Sequence, residues 1–387
     1  MKYSLSCTST CCLTFVFSLS LFHLCSIANA ERKEGSKANI PAVFAFGDSI
    51  VDPGNNNDIL TLIKANFPPY GKDFEDGKPT GRFSNGRIPT DFLAEALGIK
   101  RNIPAYLDPD IKENDLLTGV SFASGASGFD PLTPRLLMAK TLKDEFKMFK
   151  EYISKANGIV GGDRTSFIVN NSIFFLVCGS DDIANTYFSI PFIRDDYDVD
   201  AYTSHMCDSA SSFVKKLYKV GVRRIFTANV PPVGCVPAQR TLGGGLFRDC
   251  AKDRNHAAEL FNSKLEAELK FLGDKLSNSE IVYMDLYSIF LDLIHNATNY
   301  VTSGNMTLQC LIQSSKSLVL LCNSGFEVID RGCCGSGLIE AGPLCNSFSM
   351  LCGDDNKYIF WDSYHPSERA YKVIIRRIVD RYLKHIT

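Results

Sequence analysis

Short apolar runs recur along the chain and predict the strands of a buried sheet. Each run is brief, rich in β-branched or aromatic residues, and bounded by Gly, Pro or Asn. Strands that are covered on both faces have this pattern, because no position along them faces water. The five runs are residues 41–46, 119–123, 173–178, 224–230 and 281–286.

The segments between these runs predict amphipathic helices, because their apolar residues return every three or four positions. These residues are Leu142, Phe146, Phe149 and Ile153; Phe213, Leu217 and Val220; Leu260, Leu265, Leu269 and Leu272; and, after Pro366, Tyr371, Ile374, Ile375, Ile378 and Tyr382. Strands that alternate with helices predict an α/β fold, in which helices cover both faces of a mostly parallel sheet. No repeat or linker interrupts residues 31–387, so we expect a single domain with its chemistry at the carboxyl ends of the strands.

The first thirty residues predict a secretory signal peptide, which would not be part of the fold. Lys2 supplies a positive start, residues 13–24 are mainly apolar, and Ala28-Asn29-Ala30 has the small residues of a cleavage site. The alternative is an N-terminal membrane anchor, but this apolar run is short for a span of about 20 residues. No later segment is long and apolar enough to cross a bilayer, so we expect a secreted, extracellular protein without an integral membrane span.

The cysteines agree with an exported protein. Four of the fourteen lie in residues 1–30, and an oxidising compartment allows disulfides among the rest, although the sequence does not fix their pairing. There is neither a C-x-x-C pair nor an H-E-x-x-H motif, so a metal site is not expected. The cysteines of residues 31–387 are Cys178, Cys207, Cys235, Cys250, Cys310, Cys322, Cys333, Cys334, Cys345 and Cys352, and the N-x-S/T sequons predict glycosylation at Asn170, Asn296 and Asn305.

Composition and missing motifs exclude several classes of protein. Of the 387 residues, 45% are hydrophobic and 22% are charged, which excludes a disordered chain. Lys and Arg number 41 against 43 Asp and Glu, without a basic stripe, so we expect no nucleic-acid partner. The dinucleotide-binding, P-loop and G-x-S-x-G motifs are all absent, which disfavours those chemistries. The sequence leaves the oligomeric state open.

Ser49 and His365 are the strongest candidates for catalysis. Ser49 follows the first predicted strand, and a serine hydroxyl becomes a good nucleophile when a neighbouring imidazole accepts its proton. That imidazole needs a carboxylate to fix its tautomer, and Asp362 lies three residues before His365. The alternative is a surface turn in which Asp362 only caps the last helix. The other histidines of residues 31–387 have no comparably placed acid; they are His205, His256, His295 and His385.

Several motifs in a fixed order resemble those of the plant GDSL esterase/lipases, a branch of the SGNH hydrolases. The segments at 105–108, 129–133 and 183–188 are most similar to the extracellular-lipase-like subgroup. The matching blocks span nearly all of residues 31–387. They are residues 46–57, 81–87, 119–125, 229–235 and 332–335, followed by Asp362 and His365.

The resemblance implies a flavodoxin-like, three-layer α/β/α sandwich that hydrolyses esters of lipid or acyl substrates in the cell wall. Ser49 would be the nucleophile, His365 the general base and Asp362 the residue that orients the base. Catalysis would pass through an acyl-enzyme and would need neither a metal nor an organic cofactor. A wall-polyester acyltransferase or a glycan acetylesterase would use the same residues and is an alternative.

Two residues depart from the family pattern where the oxyanion would bind. Asp181 stands where the family usually has an Asn whose amide donates to the oxyanion, and an ionised carboxylate has no proton to donate. A protonated Asp181 would still donate. The family often has two adjacent glycines, but here Ala126 follows Gly125, and we expect the Gly125 amide to face the oxyanion. Asp181 also suggests an alternative function, a catalytically impaired lipid- or glycan-binding protein.

Residues 301–324 separate two segments that are almost adjacent in the family. This stretch carries Cys310, Cys322 and the Asn305 sequon. We expect either a surface insertion or a translated intron from a faulty gene model.

Overall fold

Four parallel strands form the central sheet of the protein, whose computed structural model describes residues 40–74, 76–300 and 325–384. The strands are in register, with Val43 beside Ile173 and Ile173 beside Arg224. Four of the five predicted strands are therefore confirmed. In their order across the sheet they are β1 (Val43–Gly47), β2 (Ile173–Val177), β3 (Arg224–Ala228) and β4 (Glu280–Met284).

Helices lie between the strands and after the last one, including the four predicted from apolar spacing. In chain order they are α1 (Pro89–Ala96), α2 (Glu113–Thr118), α3 (Leu132–Leu136), α4 (Leu142–Val160), α5 (Gly162–Asn171), α6 (Pro191–Asp196), α7 (Val199–Lys219), α8 (Pro237–Gly243), α9 (Lys252–Lys275), α10 (Leu286–His295) and α11 (Glu368–Ile378). A π-helical turn, Asp182–Tyr187, follows β2, and another, Val379–Leu383, extends α11.

Two layers of helices cover the sheet. On one face, Phe44, Phe46 and Phe174 belong to one apolar core with residues of α4, α7 and α9. On the other face, α11 packs against α1 and α10. There, Phe175 and Met284 of the sheet share a cavity with side chains of α10 and α11. The predicted three-layer α/β/α fold is therefore confirmed.

The fifth predicted strand, residues 119–123, forms only isolated bridges, one from Ser121 to Ala45 of β1 and one from Ser121 to Ala105. The N–H of Phe122 donates to the carbonyl of Ala45 (2.8 Å), so the segment does run along the sheet. The N–H of Gly47, however, donates to Glu145 Oε2 (2.8 Å) instead of to this segment, which interrupts the ladder with β1. With this segment counted, the spatial order becomes 2-1-3-4-5, which is the flavodoxin-like order.

A second sheet and two disulfides support the segment that leads to His365. β5 (Val328–Gly332) pairs in parallel with β6 (Tyr358–Phe360), and the buried ring of Trp361 packs with the cysteines that follow β5. Cys178 and Cys207 are buried and unpaired. The disulfides among the described residues are Cys235–Cys250, Cys333–Cys352 and Cys334–Cys345.

Several predictions fall outside the described residues. These are the signal peptide of residues 1–30, the insertion of residues 301–324 with Cys310, Cys322 and Asn305, and His385. Asn170 and Asn296 are both exposed, as glycosylation requires. In the described part of the chain, no helix combines the length and the apolarity that a membrane span needs.

Candidate active site

Ser49 lies immediately after β1, at the carboxyl edge of the sheet. Gly47 ends the strand with a φ of 128°, and a Cβ there would lie 1.7 Å from the carbonyl oxygen of Val177, so only glycine fits this turn. The N–H of Asp48 donates to the same carbonyl (3.0 Å) and fixes the turn to β2. Ser49 therefore lies where the chain order across the sheet reverses, the usual position for a ligand site in such folds.

His365 reaches Ser49 from the other end of the chain. Its Nε2 lies 2.8 Å from Ser49 Oγ, and its Nδ1 lies 2.8 Å and 2.9 Å from the carboxylate oxygens of Asp362. An Nδ1–H held by the carboxylate leaves Nε2 free to accept the serine proton. The structure thus brings together the three residues that the sequence singled out.

Asp362 does not cap α11, which removes the alternative interpretation of the D-x-x-H spacing. The side chain of Ser367 caps that helix by accepting the N–H of Ala370. Asp362 is fully buried, and its Oδ1 accepts the backbone N–H groups of Tyr364 (2.8 Å) and His365 (2.7 Å). These bonds bend the loop so that the carboxylate and the imidazole face each other.

Two aromatic residues that sequence reasoning did not single out support the Asp362–His365 pair. The hydroxyl of Tyr70 donates to Asp362 Oδ2 (2.7 Å), and the ring of Phe83 lies 5.0 Å from the imidazole of His365, measured between centroids. Phe83 belongs to the motif of residues 81–87. This motif could have drawn attention to Phe83, but its residue types do not indicate a role. Nothing in the local sequence around Tyr70 points to a carboxylate 292 residues away.

Three carboxyl groups lie close together behind Ser49. Asp182 is buried and accepts the N–H groups of Phe129 (2.8 Å) and Asp130 (3.0 Å), and burial raises its pKa to about 7. Asp48 is also buried, and its Oδ2 has no hydrogen-bond partner among the described residues. Burial and the neighbouring Asp181 raise the pKa of Asp48 well above its usual value. The described residues contain no group of three or more His, Cys, Asp or Glu side chains arranged to hold a metal ion.

Asp181 lies at the end of a chain of polar side chains. Asn185 donates to Asp181 Oδ1 (2.6 Å) and accepts from the hydroxyl of Tyr364 (2.8 Å). Gln239 donates to that hydroxyl (2.8 Å) and accepts from Arg254 Nε (2.6 Å). Burial raises the pKa of Asp181 to about 6, against the lowering effects of Asn185 and His365. These hydrogen bonds hold the Asp181 carboxyl in one orientation beside Ser49 and His365.

The amide of Gly125 does not face the space beside Ser49. Its N–H donates to Asp52 Oδ2 (2.8 Å), so the structure does not support the prediction for this residue. Ala126 lines the cavity that contains Ser49, and neither the Ala126 N–H nor the Ser49 N–H has a partner among the described residues. Ala126 has a φ of 69°, in the left-handed region that favours glycine. Among the described residues, these two amides are therefore backbone donors that remain available next to Ser49 Oγ.

The remaining described histidines lie away from this arrangement. His205 lies within α7, and His256 and His295 lie in α9 and α10.

Comparison with known proteins matches the chain to one family. The family model for GDSL-like lipases and acylhydrolases matches residues 43–378. The GDSL esterase/lipase EXL3 of Arabidopsis thaliana is 51% identical over 348 residues, which cover 90% of this chain and 89% of the relative. EXL2 of the same plant is 44% identical over 384 residues, covering 95% of this chain and 94% of the relative. Among solved structures, a catalytic mutant of the acetylxylan esterase Axe2 from Geobacillus stearothermophilus is similar with a TM-score of 0.34 and 12% identity, covering 88% of this chain and 93% of that one.

Proposed function

The chain belongs to the family of GDSL-like lipases and acylhydrolases, which makes it a carboxylic ester hydrolase, and on that premise we propose that it cleaves esters through an acyl-enzyme on Ser49. The observation that carries this proposal is the unbroken contact from Ser49 Oγ through His365 to Asp362. A serine that shares a proton with a carboxylate-oriented imidazole is the arrangement that activates a hydroxyl for acyl transfer.

In the proposed reaction, Ser49 Oγ attacks the ester carbonyl while its proton passes to His365 Nε2. The imidazolium, stabilised by Asp362, then gives this proton to the departing alkoxide, and the acyl group stays on Ser49. Water attacks the acyl-enzyme as His365 takes one of its protons. When the tetrahedral intermediate collapses, the acid leaves, Ser49 Oγ recovers the proton, and the free enzyme is restored.

We assign the backbone part of the oxyanion site to Ser49 and Ala126. Both N–H groups lack a partner among the described residues, whereas the N–H of Gly125 is held by Asp52. Donors that are already oriented stabilise the developing charge without reorganisation. Asp181 supplies the third contact when its carboxyl is protonated, and it opposes the oxyanion when ionised.

Replacing Asp181 by asparagine is expected to accelerate hydrolysis above pH 7 and to change it little near pH 5. Burial raises the pKa of Asp181 to about 6, so the wild-type carboxyl carries a proton below that pH and a charge above it. An amide donates at every pH, and one oxyanion donor is worth roughly 10² in rate. The measurement is kcat for p-nitrophenyl butyrate from pH 5 to pH 8. Asp195→Asn is the control, because it makes the same change at an exposed carboxyl and should leave kcat unchanged.

The free energy of unfolding provides a second readout for Asp181. Because its folded pKa is raised, the ionised carboxyl destabilises the fold, and this cost appears as pH rises from about 4 to about 6. Asp181→Asn should therefore stabilise the protein at pH 7 and leave it nearly unchanged at pH 4. A variant that loses activity at pH 8 would contradict the assigned role. A very large gain at every pH would instead favour the catalytically impaired binding protein.

We propose lipid or other acyl esters as substrates, because apolar side chains surround the mouth of the site. Leu136 and Ile339 line the cavity and are about half exposed, at 46% and 51%, and Leu60 and Leu62 are exposed beside its lining residue Ile63. An exposed apolar patch next to a catalytic group is typical of sites that bind apolar ligands.

We also propose that the mature protein is the single domain of residues 31–387, secreted to the cell wall with glycans on Asn170 and Asn296. The disulfides of the described residues support an oxidising compartment, since disulfides are rare in the cytosol. The signal-peptide pattern of residues 1–30 supports the same destination.

A fluorophosphonate probe tests the proposed nucleophile directly. The probe phosphonylates only an activated serine, so the wild-type protein should be labelled and Ser49→Ala should not. Ser180→Ala is a matched control, because Ser180 lines the same cavity without a contact to His365. Labelling of Ser49→Ala at the wild-type rate would exclude Ser49 as the nucleophile. Product analysis with added alcohols would separate hydrolysis from acyl transfer.

A further inference from the structure

A cavity of about 550 Å³ extends from Ser49 into the space between the sheet and the helices α10 and α11. We propose that it binds the hydrocarbon chain of the acyl group, so that the enzyme prefers esters of medium- or long-chain fatty acids over acetyl esters. The inference rests on the proposed function of Ser49 and assigns to that site its class of substrate.

The deep walls of the cavity are apolar. The sheet contributes Phe175 and Val177 from β2, Ala228 from β3 and Met284 from β4. The helices contribute side chains from the opposite side, namely Phe290, Ile374, Ile375 and Ile378. A wall of this composition gains free energy from removing alkyl surface from water and offers nothing to a sugar hydroxyl or a charged group.

The two faces of the sheet differ in how closely they are packed. On the face opposite the cavity, the ring of Phe46 lies 5.1 Å and 5.6 Å from the rings of Phe122 and Phe149, and this aromatic core fills the space. On the cavity face, Val177 is partly exposed although its strand lies between two others. Val177 is the last residue of β2, so its partial exposure shows that the cavity opens at the carboxyl edge of the sheet, next to the site.

Charge in the lining is confined to the catalytic end. The only carboxyl and imidazole side chains among the described residues of the lining are Asp48, Asp181 and His365, which lie at the Ser49 end. Tyr371 has a buried hydroxyl without a partner among the described residues. Burial and the negative charges of Asp362 and Asp48 raise the pKa of this hydroxyl. It therefore marks the boundary between the polar end and the apolar depth. An ester that places its carbonyl at Ser49 would thus place its alkyl chain among apolar side chains.

The depth of the cavity exceeds that of an acetyl group. Its lining follows α11 from Tyr371 to Ile378, and this separation of seven positions corresponds to about 10 Å along the helix. Each methylene that leaves water for such a wall favours binding by about fourfold. Affinity and kcat/KM should therefore rise with chain length until the alkyl chain fills the cavity.

The experiment compares kcat/KM for p-nitrophenyl acetate and p-nitrophenyl octanoate. We expect the wild-type ratio to favour octanoate by at least about tenfold. Ala228→Leu fills the cavity and should lower kcat/KM for octanoate about tenfold or more, while acetate changes less than about threefold. Ala201→Leu makes the same change on an exposed face of α7 and should alter neither substrate. Ile378→Phe shortens the cavity at its far end and should affect dodecanoate more than butyrate.

Binding of octanoate to Ser49→Ala, measured by calorimetry, separates this inference from the proposed reaction. Octanoate should bind, and the additional substitution Ala228→Leu or Ile378→Phe should weaken that binding about tenfold, with thermal melts to verify folding. If octanoate binds in this way but no ester is hydrolysed, the result would refute the proposed reaction on Ser49 and support the acyl-binding cavity. If p-nitrophenyl acetate is hydrolysed as fast as p-nitrophenyl octanoate and octanoate does not bind, the result would refute the acyl-binding cavity and support the proposed ester hydrolysis.

Discussion

Replacing Ser49 by alanine is expected to lower kcat for ester hydrolysis about 10⁶-fold, and His365→Ala should lower it to the same degree. The two side chains share one hydrogen bond of 2.8 Å, and in the proposed mechanism they take part in the same proton transfer. When either side chain is absent, the other no longer contributes to this proton transfer. The double variant should therefore be no slower than the single variants, and all three should retain only the rate that the oxyanion donors and substrate binding provide.

Steady-state kinetics on p-nitrophenyl butyrate checks this prediction. Because the substitutions remove an interaction of the transition state, kcat should fall while KM stays within a few-fold of the wild-type value. Ser180→Ala, from the same cavity, should keep the wild-type kcat. Multiplicative losses in the double variant would mean that Ser49 and His365 act in separate steps, which would refute the proposed mechanism.

Replacing Asp91 by alanine is expected to lower the free energy of unfolding by about 3–5 kcal/mol. Asp91 is fully buried and binds Arg82 through both oxygens, at 2.8 Å each. The same oxygens accept the backbone N–H groups of Ile88 (3.0 Å) and Ile103 (2.8 Å). Removal of the carboxylate leaves a buried guanidinium and two buried amides without their partner.

An ion pair with an exposed carboxylate serves as the control for Asp91→Ala. Arg87 contacts Glu95 at 2.9 Å, but the side chain of Glu95 is 50% exposed, so Glu95→Ala should cost less than about 1 kcal/mol. The double variant Arg82→Met/Asp91→Leu should recover much of the loss, because it replaces both buried charges with apolar groups. Chemical denaturation measures all three. A cost for Asp91→Ala as small as that for Glu95→Ala would show that the buried pair does not stabilise the fold.

Asp91→Ala should also disturb the candidate active site, because Asp91 holds Arg82 and the motif that contains Arg82 contacts His365. Phe83 follows Arg82 and packs against the imidazole of His365. The next residues tie the motif to α11, as Ser84 donates to the carbonyl of Pro366 (3.1 Å) and Asn85 accepts the N–H of Glu368 (2.8 Å). The motif of residues 81–87 thus holds the imidazole, a role that its residue types alone do not reveal.

The sequence determined the elements of this protein and the three residues that meet in the candidate site. Strand and helix periodicity are local, because a side chain faces the core or water according to its position in a short segment. For this reason four of the five predicted strands and the four predicted helices are found. Ser49, Asp362 and His365 were identifiable because their chemistry restricts which residue types can serve, and the matching blocks of the family fix their positions.

Only the tertiary structure decided which groups surround those residues. Tyr70 supports Asp362 from 292 residues away, and Glu145 accepts the Gly47 N–H that would have extended the segment at 119–123 into a strand. The amide of Gly125 turns to Asp52, which leaves Ala126 at the cavity. Hydrogen bonds and packing of this kind depend on where distant segments meet. The space beneath α11 likewise depends on how far a helix stands from the sheet, and no local pattern of residues encodes that distance.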